Sequence, residues 1–76
     1  MTPRILLDRA ARDELRRLIS HHGRPSRISA VVWHQLCMGQ VASLEIRTLA
    51  ILSDLVGPSL VQELREASNR AAYAEA

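Results

Sequence analysis

Leu7, Ala11, Leu15, Leu18 and His22 recur at intervals of four, four, three and four, which puts them on one side of a helix. The pattern predicts a first helix over residues 8–22, capped by Asp8. Arg9, Arg12, Arg16 and Arg17 fall on the opposite surface. Asp8–Arg12 and Asp13–Arg17 stand in the acid-first i,i+4 order that supports an exposed helix. Gly23 stops this helix, and Arg24-Pro25-Ser26-Arg27 reads as a turn because Pro25 disfavours α geometry at Arg24.

A shorter second helix is expected over residues 29–38, capped by Ser26 or Ser29 and ended by Gly39, with Ile28, Val32, Trp33 and Leu36 inward. The β-branched pair Val31-Val32 works against it. Ser43 reads as the cap of a third helix over 44–56, with Glu45 in its positive first turn and Ile46, Leu49, Leu52 and Leu55 as a buried ridge. Gly57-Pro58 ends it. Ser59 and Gln62 have capping-box spacing for a fourth helix over 59–73, whose seam of Leu60, Leu64, Ala67 and Ala71 needs a partner. That partner is either the chain's own core or the same helix of a second subunit. The Ala-rich tail after Asn69 is expected to fray. Together these elements predict an all-α, compact four-helix domain spanning residues 1–76.

Composition agrees with a helical core. The chain has 76 residues, 47% of them hydrophobic, with no Phe and with Trp33 and Tyr73 as the only aromatics. The core must therefore be built from Leu, Ile, Val and Ala, with Trp33 expected to fill the space between the first and third helices. A chain this short supports one domain whose core supplies only a few kcal/mol, so burial against a partner is expected. A lone Cys37 forms no internal disulfide, and neither a signal-peptide pattern nor an 18-residue apolar run occurs. The segment Leu49 to Val56 is interrupted by Ser53 and Asp54. Cytoplasmic residence, with no membrane contact, is expected.

Charge changes the picture more than composition does. The net charge is +2, but residues 1–30 hold seven arginines against Asp8, Asp13 and Glu14, whereas residues 31–76 hold three arginines against five acids. Every basic residue is arginine, whose planar fork suits phosphate oxygens.

Catalytic chemistry is sparse. Cys37 with His21 or His22 could supply a thiol and a base, but nothing orients them and so short a chain has little room for a concave site. His34-x-x-Cys37 places an imidazole and a thiol one helical turn apart, with His21 and His22 as further candidate zinc ligands. Two ligands in a turn are common by chance, and the plainer reading is a solvent-facing His34 and a semi-buried, apolar Cys37. No Gly-rich phosphate loop, CxxC pair or HExxH box occurs. The expectation is a protein that is not an enzyme, carries no cofactor or metal, and works by binding another macromolecule.

From Arg27 to Gly57 the chain resembles the second half of a Cro/repressor-type helix-turn-helix domain. The matching pieces are a Ser29-initiated helix, Trp33-x-x-Leu36-x-x-Gly39-Gln40, Ser43-Leu44-Glu45, and the Leu49, Leu52, Leu55 ridge closing at Gly57. The positioning helix that family members place before the recognition helix is missing between Gly23 and Ser29, unless the arginine-rich helix 8–22 serves, with Gly23 as the turn glycine. The resemblance implies double-stranded DNA as partner and a homodimeric transcriptional repressor. Its readers would be Arg24, Arg27, Ser29, Ala30 and His34, with Gln35 behind them and Val31 or Val32 on a thymine methyl; Arg9, Arg12 and Arg16 would sit on phosphate. Leu60, Leu64, Ala67 and Ala71 would form the dimer interface.

Two other readings stand beside it. Arg4-Ile5-Leu6-Leu7 followed by a helix and by Ser26-Arg27 is similar to a ribbon-helix-helix repressor, in which Thr2, Arg4 and Leu6 would face DNA from a ribbon shared by two subunits. The residues after Gly39 would then be an extension. The non-DNA reading is a small helical inhibitor or adaptor that docks on a protein target, as phage-encoded anti-CRISPR proteins do.

Overall fold

Arg4, Ile5 and Leu6 alternate outward, inward, outward, a period of two that belongs to a strand. In the computed structural model, which describes residues 3–75, they form β1 (Arg4–Leu6). Then follow α1 (Arg9–Ile19), α2 (Ala30–Cys37), β2 (Ser43–Glu45), α3 (Ile46–Val56) and α4 (Leu60–Glu75). β1 and β2 pair antiparallel, with Arg4 opposite Glu45, Ile5 opposite Leu44 and Leu6 opposite Ser43. The all-α expectation is thus corrected: the four helices are joined by a small sheet. The ribbon closes within one chain, with β2 taking the place that the ribbon-helix-helix reading gave to a second subunit. Thr2 lies outside the described residues.

The register decides where the backbone groups of β1 point. Leu7 N–H donates to the Ala42 carbonyl at 2.8 Å and Ile46 N–H to the Pro3 carbonyl at 3.1 Å. Bonded pairs alternate along an antiparallel ladder, so Ile5 and Leu44 exchange bonds while the N–H and C=O of Arg4 and Leu6 turn away from β2. The Pro3 carbonyl also satisfies an N–H at the start of α3, where Glu45 sits in the cap position without a side-chain cap bond. Ser43 is therefore a strand residue and does not cap α3; its hydroxyl accepts from Arg4 Nε at 2.9 Å.

Other termini follow local chemistry. Asp8 Oδ1 accepts from Ala11 N–H at 2.8 Å, and Ser29 Oγ from Val32 N–H at 3.2 Å. Gly39, at φ 69°, lets α2 close in a Schellman turn in which Gly39 N–H donates to Leu36 O and Gln40 N–H to Gln35 O. α1 ends at Ile19 and not at residue 22: past the Ser20 cap the chain tightens into an i→i−3 turn, with His22 N–H donating to the Ile19 carbonyl at 3.0 Å, and the Ser20 hydroxyl donates to the Arg17 carbonyl at 2.7 Å. α4 continues through the alanine tail to Glu75, consistent with alanine's high helix propensity.

The core runs from Leu7, Ala11, Leu15 and Ile19 of the first helical face through Ile28, Leu36, Leu44, Leu49 and Leu52 to Leu60, Leu64 and Ala67. Leu15, Ile19, Leu36, Leu52 and Leu60 are fully enclosed, each contributing about 1.5–3 kcal/mol relative to exposure. Trp33 is only half-buried at the margin and Ile46 is exposed, so neither is the core residue that its spacing predicts. α4 packs on α1, and Leu60, Leu64 and Ala67 of the expected dimer seam are buried inside the single chain, with Ala71 half-buried behind them. Within the single chain the seam's partner is α1, which is the first of the two partners that its spacing left open.

Candidate nucleic-acid interface

Polar contacts between α1 and α4 sort the charges of α1 onto two sides. Glu14 pairs with Arg17 and lies 3.8 Å from Arg70 of α4. Its carboxylate raises the Arg17 guanidinium above its ordinary pKa, through the hydrogen bond first and the charge second. Asp8 is committed to its cap and to the Ser68 hydroxyl, which donates to it at 3.0 Å. The i,i+4 pairs expected from the sequence, Asp8–Arg12 and Asp13–Arg17, do not form among the described residues.

Arg9, Arg12 and Arg16, three and four apart, lie about 140–160° around the helix axis from Glu14. They occupy the flank of α1 turned away from Glu14 and share it with the exposed Asp13, which stands beside Arg9. None of the three makes a salt bridge among the described residues. A side chain built on Gly39 would come 3.9 Å from Arg16 Cδ, so the arginine flank reaches the C-terminal end of α2.

α2 itself turns Leu36 inward and holds Val32 and Trp33 against the core. Its other face carries Ala30, Val31, His34, Gln35 and Met38, all exposed. Val31 is 69% exposed and presents its methyls to solvent, whereas Val32 turns toward the core. No acidic residue lies on this helix. At its N-terminal end, Arg24 donates from Nη1 to the Ile28 carbonyl at 2.8 Å, spanning the turn before α2, and Arg27 is exposed. Ser29 uses its oxygen as the cap acceptor and keeps its O–H as a donor.

Arg27, Ser29 and Gln35 also border a cleft of about 300 Å³, together with Arg4, Glu45 and Thr48. Arg4 is not a free cation there, since its Nη1 lies 3.3 Å from Glu45 and its Nη2 donates to the Ser43 carbonyl at 3.2 Å. Arg4 and Thr48 were missed as companions of α2. The alternation at Arg4-Ile5-Leu6 was the available signal for a strand; nothing local says that it pairs with residues 43–45.

The predicted set is therefore brought together in part. Arg24, Arg27, Ser29, Ala30, His34 and Gln35 lie on or just before α2, with Arg16 at its far end, while Arg9 stands at the distant end of α1 beside Asp13 and Ala71. The link from Ser20 to Ser29 is longer than a tight helix-turn-helix turn. No three His, Cys, Asp or Glu side chains converge as a metal site among the described residues. No described helix is long and apolar enough to cross a membrane. No family model, curated protein or solved structure matches the chain.

Proposed function

We propose that this chain binds double-stranded DNA and acts as a small transcriptional regulator, with α2 as the reading helix. The observation that carries this reading is the bracketing of an acid-free helix with an exposed outer face by arginines that make no salt bridge among the described residues. α2 has eight residues, roughly 12 Å at 1.5 Å per residue, and a major groove is also about 12 Å wide. Arg24 and Arg27 before the N-terminal end of α2 and Arg16 beside its C-terminal end place cations at both ends of the helix, suited to phosphates flanking the groove. Between them His34 and Gln35 supply hydrogen bonds to base edges, and Val31 supplies apolar contact to a thymine methyl. Arg12 extends the phosphate-facing flank along α1.

One chain presents one reading helix in this arrangement. The α4 seam is spent on the chain's own core, so a homodimeric repressor would have to assemble through another surface. The test is fluorescence anisotropy with a labelled random-sequence duplex at low salt, followed by selection of preferred sequences. Binding is expected for the wild type, and His34→Ala/Gln35→Ala should keep non-specific affinity while losing sequence preference. Absence of binding to any duplex at low salt would refute the proposal.

A further inference from the structure

The outer edge of β1 faces α4 across an apolar groove of about 280 Å³, floored by Ile5, Leu7, Ala11 and Leu64 and rimmed by Val61 and Arg65. The backbone groups of Arg4 and Leu6 point to this side and meet no protein partner among the described residues. Leu6 itself is 88% exposed, the most exposed large apolar side chain among those described. An open edge with four unpaired backbone groups is a template for an added strand. The opposite edge, along β2, is obstructed because Arg4 occupies the outward carbonyl of Ser43.

We propose that this edge accepts an extended segment of another protein as a third strand, with apolar side chains on its groove-facing side and a carboxylate next to them. The carboxylate follows from Arg65, which is exposed on the groove rim and has no salt-bridge partner among the described residues. Charge also decides against a second copy of this chain as occupant. Edge-to-edge pairing would bring in Arg4, Ile5 and Leu6, whose one charged side chain is already paired with Glu45, so this segment offers Arg65 no free carboxylate. The incoming strand donates and accepts at Arg4 and Leu6, places its apolar residue over Ile5 and Leu64, and pairs with Arg65 at its end. This surface involves neither α2 nor the flank of Arg12 and Arg16, so it stands apart from the DNA reading.

The probe is a blocked eight-residue peptide of alternating leucine and threonine whose leucine face ends in glutamate, with a lysine-ended version as its counterpart. Titrated into the full chain, the glutamate peptide should slow hydrogen exchange at the Arg4 and Leu6 amides roughly tenfold or more. Leu6→Pro removes one outward donor and leaves the β1–β2 bonds intact, since those run through Ile5 and Leu7; it should abolish binding while the protein stays folded. Arg65→Glu should weaken the glutamate peptide roughly five- to tenfold and reverse the preference toward lysine. No exchange effect at millimolar peptide overturns the proposal, as does full binding by Leu6→Pro. Protection of both amides without peptide, with a doubled mass in light scattering, would make the occupant a second copy and overturn it as well.

Discussion

Replacing Arg12 and Arg16 together by alanine is the most direct probe of the cationic flank. Neither guanidinium holds a carboxylate among the described residues, so the fold should lose little, within about 0.5 kcal/mol for exposed sites. Alanine's higher helix propensity offsets part of the lost packing of the half-buried Arg12 stem. The effect on DNA is set by counterion release. Two phosphate contacts contribute roughly 1.8 to the slope of log affinity against log salt. Between about 50 and 200 mM salt the wild type should therefore lose roughly tenfold more affinity than the double variant. Arg17→Ala is the control that the structure supplies, because Arg17 is committed to Glu14; it removes a charge from the same helix yet should leave the slope nearly unchanged. Anisotropy titrations across a salt series, with thermal melts of each variant, measure both quantities. An unchanged slope in the double variant, or an equal change from Arg17→Ala, would make the flank an ordinary solvated surface.

Three further predictions test the fold. Leu64 is buried between α1 and α4, so Leu64→Glu should unfold the chain and not yield a folded monomer, and Leu64→Ala should cost about 2–5 kcal/mol in urea melts. Leu52 is wholly enclosed while Trp33 lies at the margin, so Trp33→Ala should cost less than the roughly 3–5 kcal/mol of a fully buried Trp, as denaturant midpoints will tell. Gly39 adopts φ 69° whereas Gly23 has open space and no left-handed backbone; Gly39→Ala should destabilise by about 1 kcal/mol and Gly23→Ala should be neutral or slightly stabilising, readable from paired thermal melts.

The ion pairs of α1 are not the ones that its i,i+4 spacing suggests. Spacing offers Asp8 to Arg12 and Asp13 to Arg17 with equal merit, and only the arrival of α4, with Ser68 beside Asp8 and Arg70 beside Glu14, settles which acids are engaged. The candidate site was legible as residue types around α2, since exposed positions on an amphipathic helix follow from its buried ones. Its cleft was not, because Arg4 and Thr48 reach it through chain reversals that leave no local mark.

What the sequence by itself determined was the set of helices and most of their inward faces, with Trp33, Ile46 and His22 as the exceptions. Leu7, Ala11 and Leu15 are buried as their spacing requires, Asp8 and Ser29 cap because a short oxygen-bearing side chain precedes an apolar run, and Gly39 and Gly57 stop helices at positive φ. Tertiary structure decided what covers each face. A strand of three residues carries barely one period of alternation, so Arg4-Ile5-Leu6 can suggest a strand, but β2 and the pairing of Ile5 with Leu44 exist only in the folded chain. The Leu60, Leu64, Ala67 seam likewise records that an apolar partner exists without recording which one, because hydrophobic burial is non-directional and satisfied equally by α1 or by another chain.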